Sequence, residues 1–560
     1  MKQKQKTFED ICFGFGRPLL TLLVFGIILF GVSGTQAADP IVVRWFSFSP
    51  LVIPTDESAS TKFLVKIDGN PSSVQLALAA GGNVSFTNDG SGIWSVPLSH
   101  SQALFDYQAD DANHNFVGFL DVFDGATRVF RGNTFVSVKD ESIPSVNVLN
   151  RGTDIRLSRH VVNIWRPDLQ PIGTAGGFGA QLQSITQEFY QNFGDDYDFI
   201  GVVTALPSFF ENRYHFASKN EVLGVGLRLF NNDSVYGSFG KLQGITVYPI
   251  AGFFDMAETG SIHELGHQWI NFSAHPLLRT GSPHWPVSTL ARGIMGFSIP
   301  GSGAGGTFPF TISQRPDGSY VFQSAAPMNE YNELELYLAG MLPADQVMPN
   351  LVPELQLQQV CDGCLVQGPV RTVTIDDVIA ADGKRSPDAA TSQKEFRVAN
   401  IVVTRERPLT DDEMALLDYF SARGEATIPL TYSSGFAKGT TKPFKLATRG
   451  VGTLTTSLVA DSPPPALSSV AIFRKAKQVD HLSTGAKAKK FYLELTGEGF
   501  EAGATVLLNG SEAETTFVSL TQLSSKLLGG RIPEPGTMTI QVRNTDGSLS
   551  NTLIVRIEAD

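Results

Sequence analysis

Cysteine is scarce in this chain, with three residues in 560, at positions 12, 361 and 364. That excludes a scaffold built from disulfides. The Cys361–Cys364 pair in VCDGCL also has no second pair with which to complete a zinc ribbon. Two readings of this pair stand: a local disulfide closing a tight loop, or two inert thiols. Charge is low as well, 18% of residues against 42% hydrophobic, which is the balance of a globular protein rather than a disordered one. The formal net charge is −12 and no block is rich in lysine or arginine, so nucleic acid is not an expected partner. Long apolar runs are missing after the first 32 residues, and no later segment reaches the roughly 18 residues of a membrane span.

What is present begins with an address. Lys2, Lys4, Lys6 and Arg17 precede the apolar run LLTLLVFGIILFGV (residues 19–32), and SGTQAADP follows with small residues suited to cleavage after Ala37 or Ala38. The pattern predicts a secretory signal over residues 1–38 and a secreted or surface-held protein; an uncleaved N-terminal anchor is the alternative. The length implies about three or four domains.

Residues 39–150 alternate apolar and polar positions between Gly, Asn and Asp turns, as in TKFLVKIDGNPSSVQLALAAGG, which predicts a β-sandwich. The texture then changes. In GAQLQSITQEFYQNFG, Leu182, Ile185, Phe189 and Phe193 share one helical face, and the continuous apolar run YDFIGVVTAL reads as a buried strand. An α/β region over residues 151–459 follows, with a late helix marked by the capping box Thr410–Glu413. A proline-rich linker, 460–465, leads to a second strand-rich segment, 466–560. The fold class expected is therefore multidomain α+β. It has an N-terminal β-sandwich, a catalytic α/β region and a C-terminal β-sandwich.

Chemistry concentrates in DMAETGSIHELGHQWINF, residues 255–272. Asp255 and Glu258 form a capping-box pattern, and Ile262, Leu265, Trp269 and Ile270 form an apolar stripe. His263 and His267, four residues apart, project from one side as two ligands of a tetrahedral Zn²⁺. Glu264 lies beside them as a general base, able to take a proton from a water that zinc acidifies. A third ligand is required. His275 and His284 are candidates in loop-like sequence. Glu330, Glu333 and Glu335, in MNEYNELELYLAGMLPADQV, offer carboxylates near a helix.

These motifs carry a resemblance. HELGHQW followed by LELYLAGMLPADQV is similar to exported bacterial HExxH metallopeptidases of the gluzincin type, whose second motif runs Leu-acidic-Leu-Tyr-Leu-x-Gly. The resemblance implies a zincin-like catalytic region with His263, His267 and Glu335 as metal ligands and Glu264 as catalytic base. The spacing of a metzincin third ligand is missing, since Ile270 and Ser273 stand at its positions, so Met295 in GIMGF is read as core rather than as a Met-turn. The tail resembles the IPT/TIG family of immunoglobulin-like domains, on Gly497, Gly499 and Phe500 ahead of ATVLLNG and on VRNTDGSLSN before the last strand. That likeness implies a spacer or surface-attachment module.

LQGITVYPI, residues 242–250, reads as a strand directly before the motif helix, and Pro249 suggests the sheet edge, where an extended peptide backbone could pair. Tyr331 and His284 are candidates for stabilising an oxyanion. The function expected is a secreted zinc endopeptidase acting on protein or peptide substrates. The alternative is a surface adhesion or binding protein in which the sandwiches do the work and the zincin-like region is structural or degenerate.

Overall fold

The computed structural model describes residues 39–559 except 55–58, 106–112, 140–142, 170–177, 205–212, 250–258, 303–304, 434–437, 442, 459–464, 486–489, 501–502, 520, 528–531, 533 and 545–548. The expected export signal, the Asp255–Glu258 helix start and most of the linker at 460–465 lie outside the described residues. Strand outweighs helix, and the chain builds three successive β-containing bodies. No helix among the described residues is long and apolar enough to cross a membrane.

In the first body, a four-stranded sheet (order 42–49, 60–68, 93–99, 87–90) faces a five-stranded one (order 52–54, 127–139, 113–124, 73–78, 83–85). Alternation puts Phe63, Val65 and Ile67 from one sheet and Val74, Leu76, Leu120 and Val136 from the other into a shared core.

The middle body is organised on a mixed sheet. Its strands are β1 (Leu149–Arg151), β2 (Ile155–Leu157), β3 (Val161–Trp165), β4 (Phe199–Thr204), β5 (Tyr214–Ala217), β6 (Gly244–Pro249), β7 (Glu395–Thr404) and β8 (Thr453–Thr455). The order is β1-β2-β3-β7-β4-β6-β5, with β8 pairing β7. Strands β3, β7, β4 and β6 run parallel, and β5 returns antiparallel on β6. All residues of β4 are buried, as a strand covered on both faces must be.

Two faces of this sheet carry different helices. Helix α1 (Phe178–Asn192) lays Leu182, Ile185 and Phe189, with Phe193 just beyond its end, on Ile200, Val202, Ile245 and Ile401. The opposite face receives α2 (Thr259–Gly266), whose Ile262 and Leu265 join Phe199, Phe396 and Val398. Helix α3 (Glu333–Leu338) shares that core, and α4 (Asp411–Ala422) packs Met414, Leu417 and Phe420 on Val161, Val203 and Val402.

Glu413 closes the expected capping box of α4, with Thr410 as N-cap, and also accepts the Leu51 N–H at 2.9 Å and a fork from Arg407 at 2.6 and 2.7 Å. That single carboxylate ties the first body to the middle one.

The strand before α2 is not the edge. β6 lies between β4 and β5, and among the described residues β5 is the outer strand on that side of the sheet. Among the described residues β5 pairs β6 from Gly244 to Val247, and on the other side of β6 Pro249 pairs with Thr204.

The tail forms a second sandwich of two five-stranded sheets around Phe491, Leu493, Leu495, Phe500, Val506, Ile540 and Val542. Gly497 is required there by close approach. A Cβ at this position would fall 2.0 Å from the Ala466 carbonyl oxygen across the strand pair.

Candidate metal centre

The described part of α2 ends at Gly266, and the chain then tightens. The N–H groups of His267, Gln268 and Trp269 bond carbonyls three residues back at 3.1, 3.1 and 3.0 Å. Asn271, with φ of 76°, stops the run in the left-handed region. Trp269 and Ile270 remain buried, so the expected stripe holds although its last two members lie past the helix. Gly266 is demanded by packing, because a Cβ there would sit 2.5 Å from the Met295 sulfur. Met295 is fully buried core, as expected, and lies directly against this helix.

His263 and His267 do converge. Their Nε2 atoms are 3.1 Å apart, and His284 Nε2 is 3.2 Å from that of His263. One nitrogen from each of the three lies within 4.8 Å of the others. A tetrahedral zinc with Zn–N bonds of about 2.0–2.1 Å sets its nitrogens about 3.3–3.4 Å apart, so the donor set and spacing suit that ion. His263 Nδ1 donates to the Ile294 carbonyl at 2.8 Å, which leaves its Nε2 lone pair directed into the cluster.

Electrostatics favour the ligand form. Burial, helped by the neighbouring His284 and Arg213 charges and opposed by the Ile294 bond, lowers the pKa of His263 to about 3. Burial also lowers His267 well below its ordinary value and lowers His284. Neutral imidazoles at pH 7 can bind a metal without first releasing a proton. Each of the three keeps some accessible surface. Glu264, between the two helix histidines in sequence, is 6% exposed.

The third nitrogen is where expectation and structure part. No Glu335 oxygen joins the histidine cluster. The Glu335 side chain is 0% exposed and its carboxylate already serves three donors. Oε1 accepts from Trp285 Nε1 at 2.8 Å and Met295 N at 3.3 Å, and Oε2 accepts from Asn332 N at 2.8 Å. Burial pushes its pKa up to about 7 against the pull of those bonds. Glu333 pairs with Arg449 at 2.8 Å and Glu330, three residues before α3 begins, approaches the same guanidinium at 4.0 Å. His275 is also outside the cluster. Tyr331 cannot reach toward an oxyanion here, because it is buried and its hydroxyl donates to the Ile262 carbonyl.

His284 comes from a loop held by nonlocal pairing. Trp285, fully buried, bridges to Phe297, and the Ser298 N–H bonds its carbonyl at 2.7 Å. Across the ring of His284 lies Gly305, where a Cβ would fall 2.4 Å from Nε2. Gly305→Ala is therefore expected to leave thermal unfolding of the metal-free protein close to wild type while weakening zinc binding, since the imidazole must rotate away. Chelator competition beside a melting curve checks this, and unchanged zinc affinity would refute it.

Cys361 and Cys364 are joined as the local disulfide, closing a loop whose Gly363 N–H and Cys364 carbonyl bond the Phe322 backbone. The pair lies in the connection between strands 350–353 and 370–373, remote in sequence from the histidines, and among the described residues no free thiol is left for metal binding.

No protein-family model matches the chain, and no curated protein matches it. Among solved structures, the D1–D4 ectodomain fragment of ICAM-5 aligns at 8% identity with a TM-score of 0.13, over 93% of this chain and 78% of that one. The full extracellular region of plexin A4 aligns at 9% identity and 0.14, over 92% of this chain and 48% of its own length. Overlaps this shallow define no common fold.

Proposed function

We propose that the chain is an exported zinc-dependent endopeptidase with His263, His267 and His284 as its metal ligands. The observation that carries this reading is the convergence of three imidazoles, two of them from the HExxH segment, with two of the Nε2 separations at 3.1 and 3.2 Å. Zinc, when bound, contributes Lewis acidity, bringing water's pKa toward about 7 and polarising a carbonyl. Glu264 is the proton carrier. It takes the proton of the attacking water and delivers it to the departing amine nitrogen. The gluzincin likeness is kept for the helix motif and dropped for the third ligand.

Strand β5 replaces β6 as the element proposed to bind substrate. It is the outer strand described on the β6 side of the sheet, it runs antiparallel to β6, and its His215 bonds Gln268, the residue after His267, at 2.8 Å. An extended peptide added to that edge would gain main-chain hydrogen bonds whatever its sequence. The two sandwiches, the second of IPT/TIG type in this reading, would space or attach the enzyme at the cell surface.

Casein digestion by the purified mature chain tests the proposal. Cleavage is expected in buffer, loss with a chelator, and recovery on adding zinc. Stoichiometric zinc with no cleavage of any protein substrate would instead favour the adhesion reading, with a structural metal.

A further inference from the structure

Glu335 is a completely buried carboxylate, and its three donors belong to segments far apart in sequence: residues 285, 295 and 332. Two of those donors adjoin the histidine cluster. Trp285 follows His284 directly. Met295 N–H belongs to the same planar peptide unit as the Ile294 carbonyl, and that carbonyl accepts the hydrogen bond from His263 Nδ1. A continuous chain of contacts therefore runs from the carboxylate to the peptide and on to an imidazole. Gly293 makes room for it, since a Cβ there would lie 2.4 Å from Glu335 Oε2.

We propose that Glu335 is the positioning residue of the histidine site, directing His263 through the Ile294–Met295 peptide and fixing His284 through Trp285. This rests on the zinc reading of that site. The carboxylate polarises the peptide, which makes its carbonyl a stronger acceptor for His263 and so raises the donor strength of the opposite nitrogen. His284 needs such outside help. Its Nδ1 is buried without a hydrogen-bond partner among the described residues, so the ring's direction is set by where the backbone at 284–285 is held. The Trp285–Glu335 bond spans 50 residues of sequence and anchors that backbone to the N-terminus of α3. The second sequence motif, LELYLAG, thereby acquires a role that its helix could not fill as a direct ligand.

The test uses the full mature chain, stripped of metal and reloaded with Co²⁺ or Zn²⁺. Three variants are compared: Glu335→Met, which has no acceptor; Trp285→Phe, which lacks only the indole N–H link; and Glu335→Gln, which keeps one oxygen for Trp285 and Met295. Circular dichroism and melting of the metal-free proteins control for folding. Trp285→Phe and Glu335→Met are expected to bind one ion 10–100-fold more weakly than wild type, with shifted visible Co²⁺ bands, and Glu335→Gln to return most of the affinity. Wild-type affinity and unshifted bands in a folded Trp285→Phe protein would overturn the proposal. So would complete loss of metal in Glu335→Gln alongside retention in His284→Ala, which would make Glu335 a ligand. Failure of the wild-type chain to bind either ion would strike at the zinc reading itself, a result separable from the other two because it precedes any variant.

Discussion

Alanine at His284 is expected to strip zinc from the purified protein and with it peptidase activity, while alanine at Glu330, Glu333 or His275 leaves both intact. The argument is one of ligand count. A catalytic zinc is held by three protein groups, and the three nitrogens that converge belong to His263, His267 and His284. Removing one leaves two, and the loss of affinity should exceed the 10–100-fold typical of outer-shell changes. Glu330 and Glu333 instead face Arg449, where their removal costs little because exposed ion pairs contribute at most about 1 kcal/mol. Metal content by mass spectrometry, measured beside casein hydrolysis for the four variants, checks the expectation. Stoichiometric zinc in His284→Ala would sink the three-histidine assignment. Loss of zinc in Glu333→Ala would return the ligand to the α3 segment.

Local signals in the sequence carried much of this architecture. The Leu182–Ile185–Phe189–Phe193 stripe lies in the core, the run through Phe199–Thr204 is a wholly buried strand, and Thr410 with Glu413 caps α4 as its spacing predicts. Each of these depends on neighbours within one or two turns or a single strand. His263 and His267 belong to the same category, because four residues of helical chain bring them together with no help from the rest of the fold.

Long-range features were not legible in the same way. His284 sits in a loop without periodicity, and long-range contacts, among them the pairing of Trp285 with Phe297 and with Glu335, bring it to the helix. A hint was nevertheless present. Asn332-x-x-Glu335 is a capping-box pattern, with the Asn332 side chain accepting from Glu335 N and the Glu335 carboxylate returning to Asn332 N. A glutamate occupied in that way is poorly available as a ligand, which weakens Glu335 and raises the loop histidines. The misplaced edge strand has a similar origin. Pro249 reads locally as an edge signal, yet β5, from an earlier stretch of the chain, covers β6 from Gly244 to Val247, a pairing that no local pattern announces.

Glu264→Gln separates catalysis from metal binding, and it is expected to keep stoichiometric zinc while turnover falls by on the order of 10²–10⁴. Glutamine has nearly the same volume, so a side chain that is 6% exposed can be replaced without opening a cavity or crowding α2. What changes is basicity, since an amide oxygen cannot take the proton of the attacking water. The histidines are untouched, and the bond from His263 Nδ1 to the Ile294 carbonyl still orients the first of them. Zinc affinity should therefore stay near wild type, which distinguishes this variant from His284→Ala, where metal and activity fall together. Zinc stoichiometry, a melting curve and the casein rate, all from one preparation, decide the matter. Undiminished turnover in Glu264→Gln would show that this glutamate is not the proton carrier. Loss of zinc together with turnover would place Glu264 among the groups that hold the metal rather than beside it.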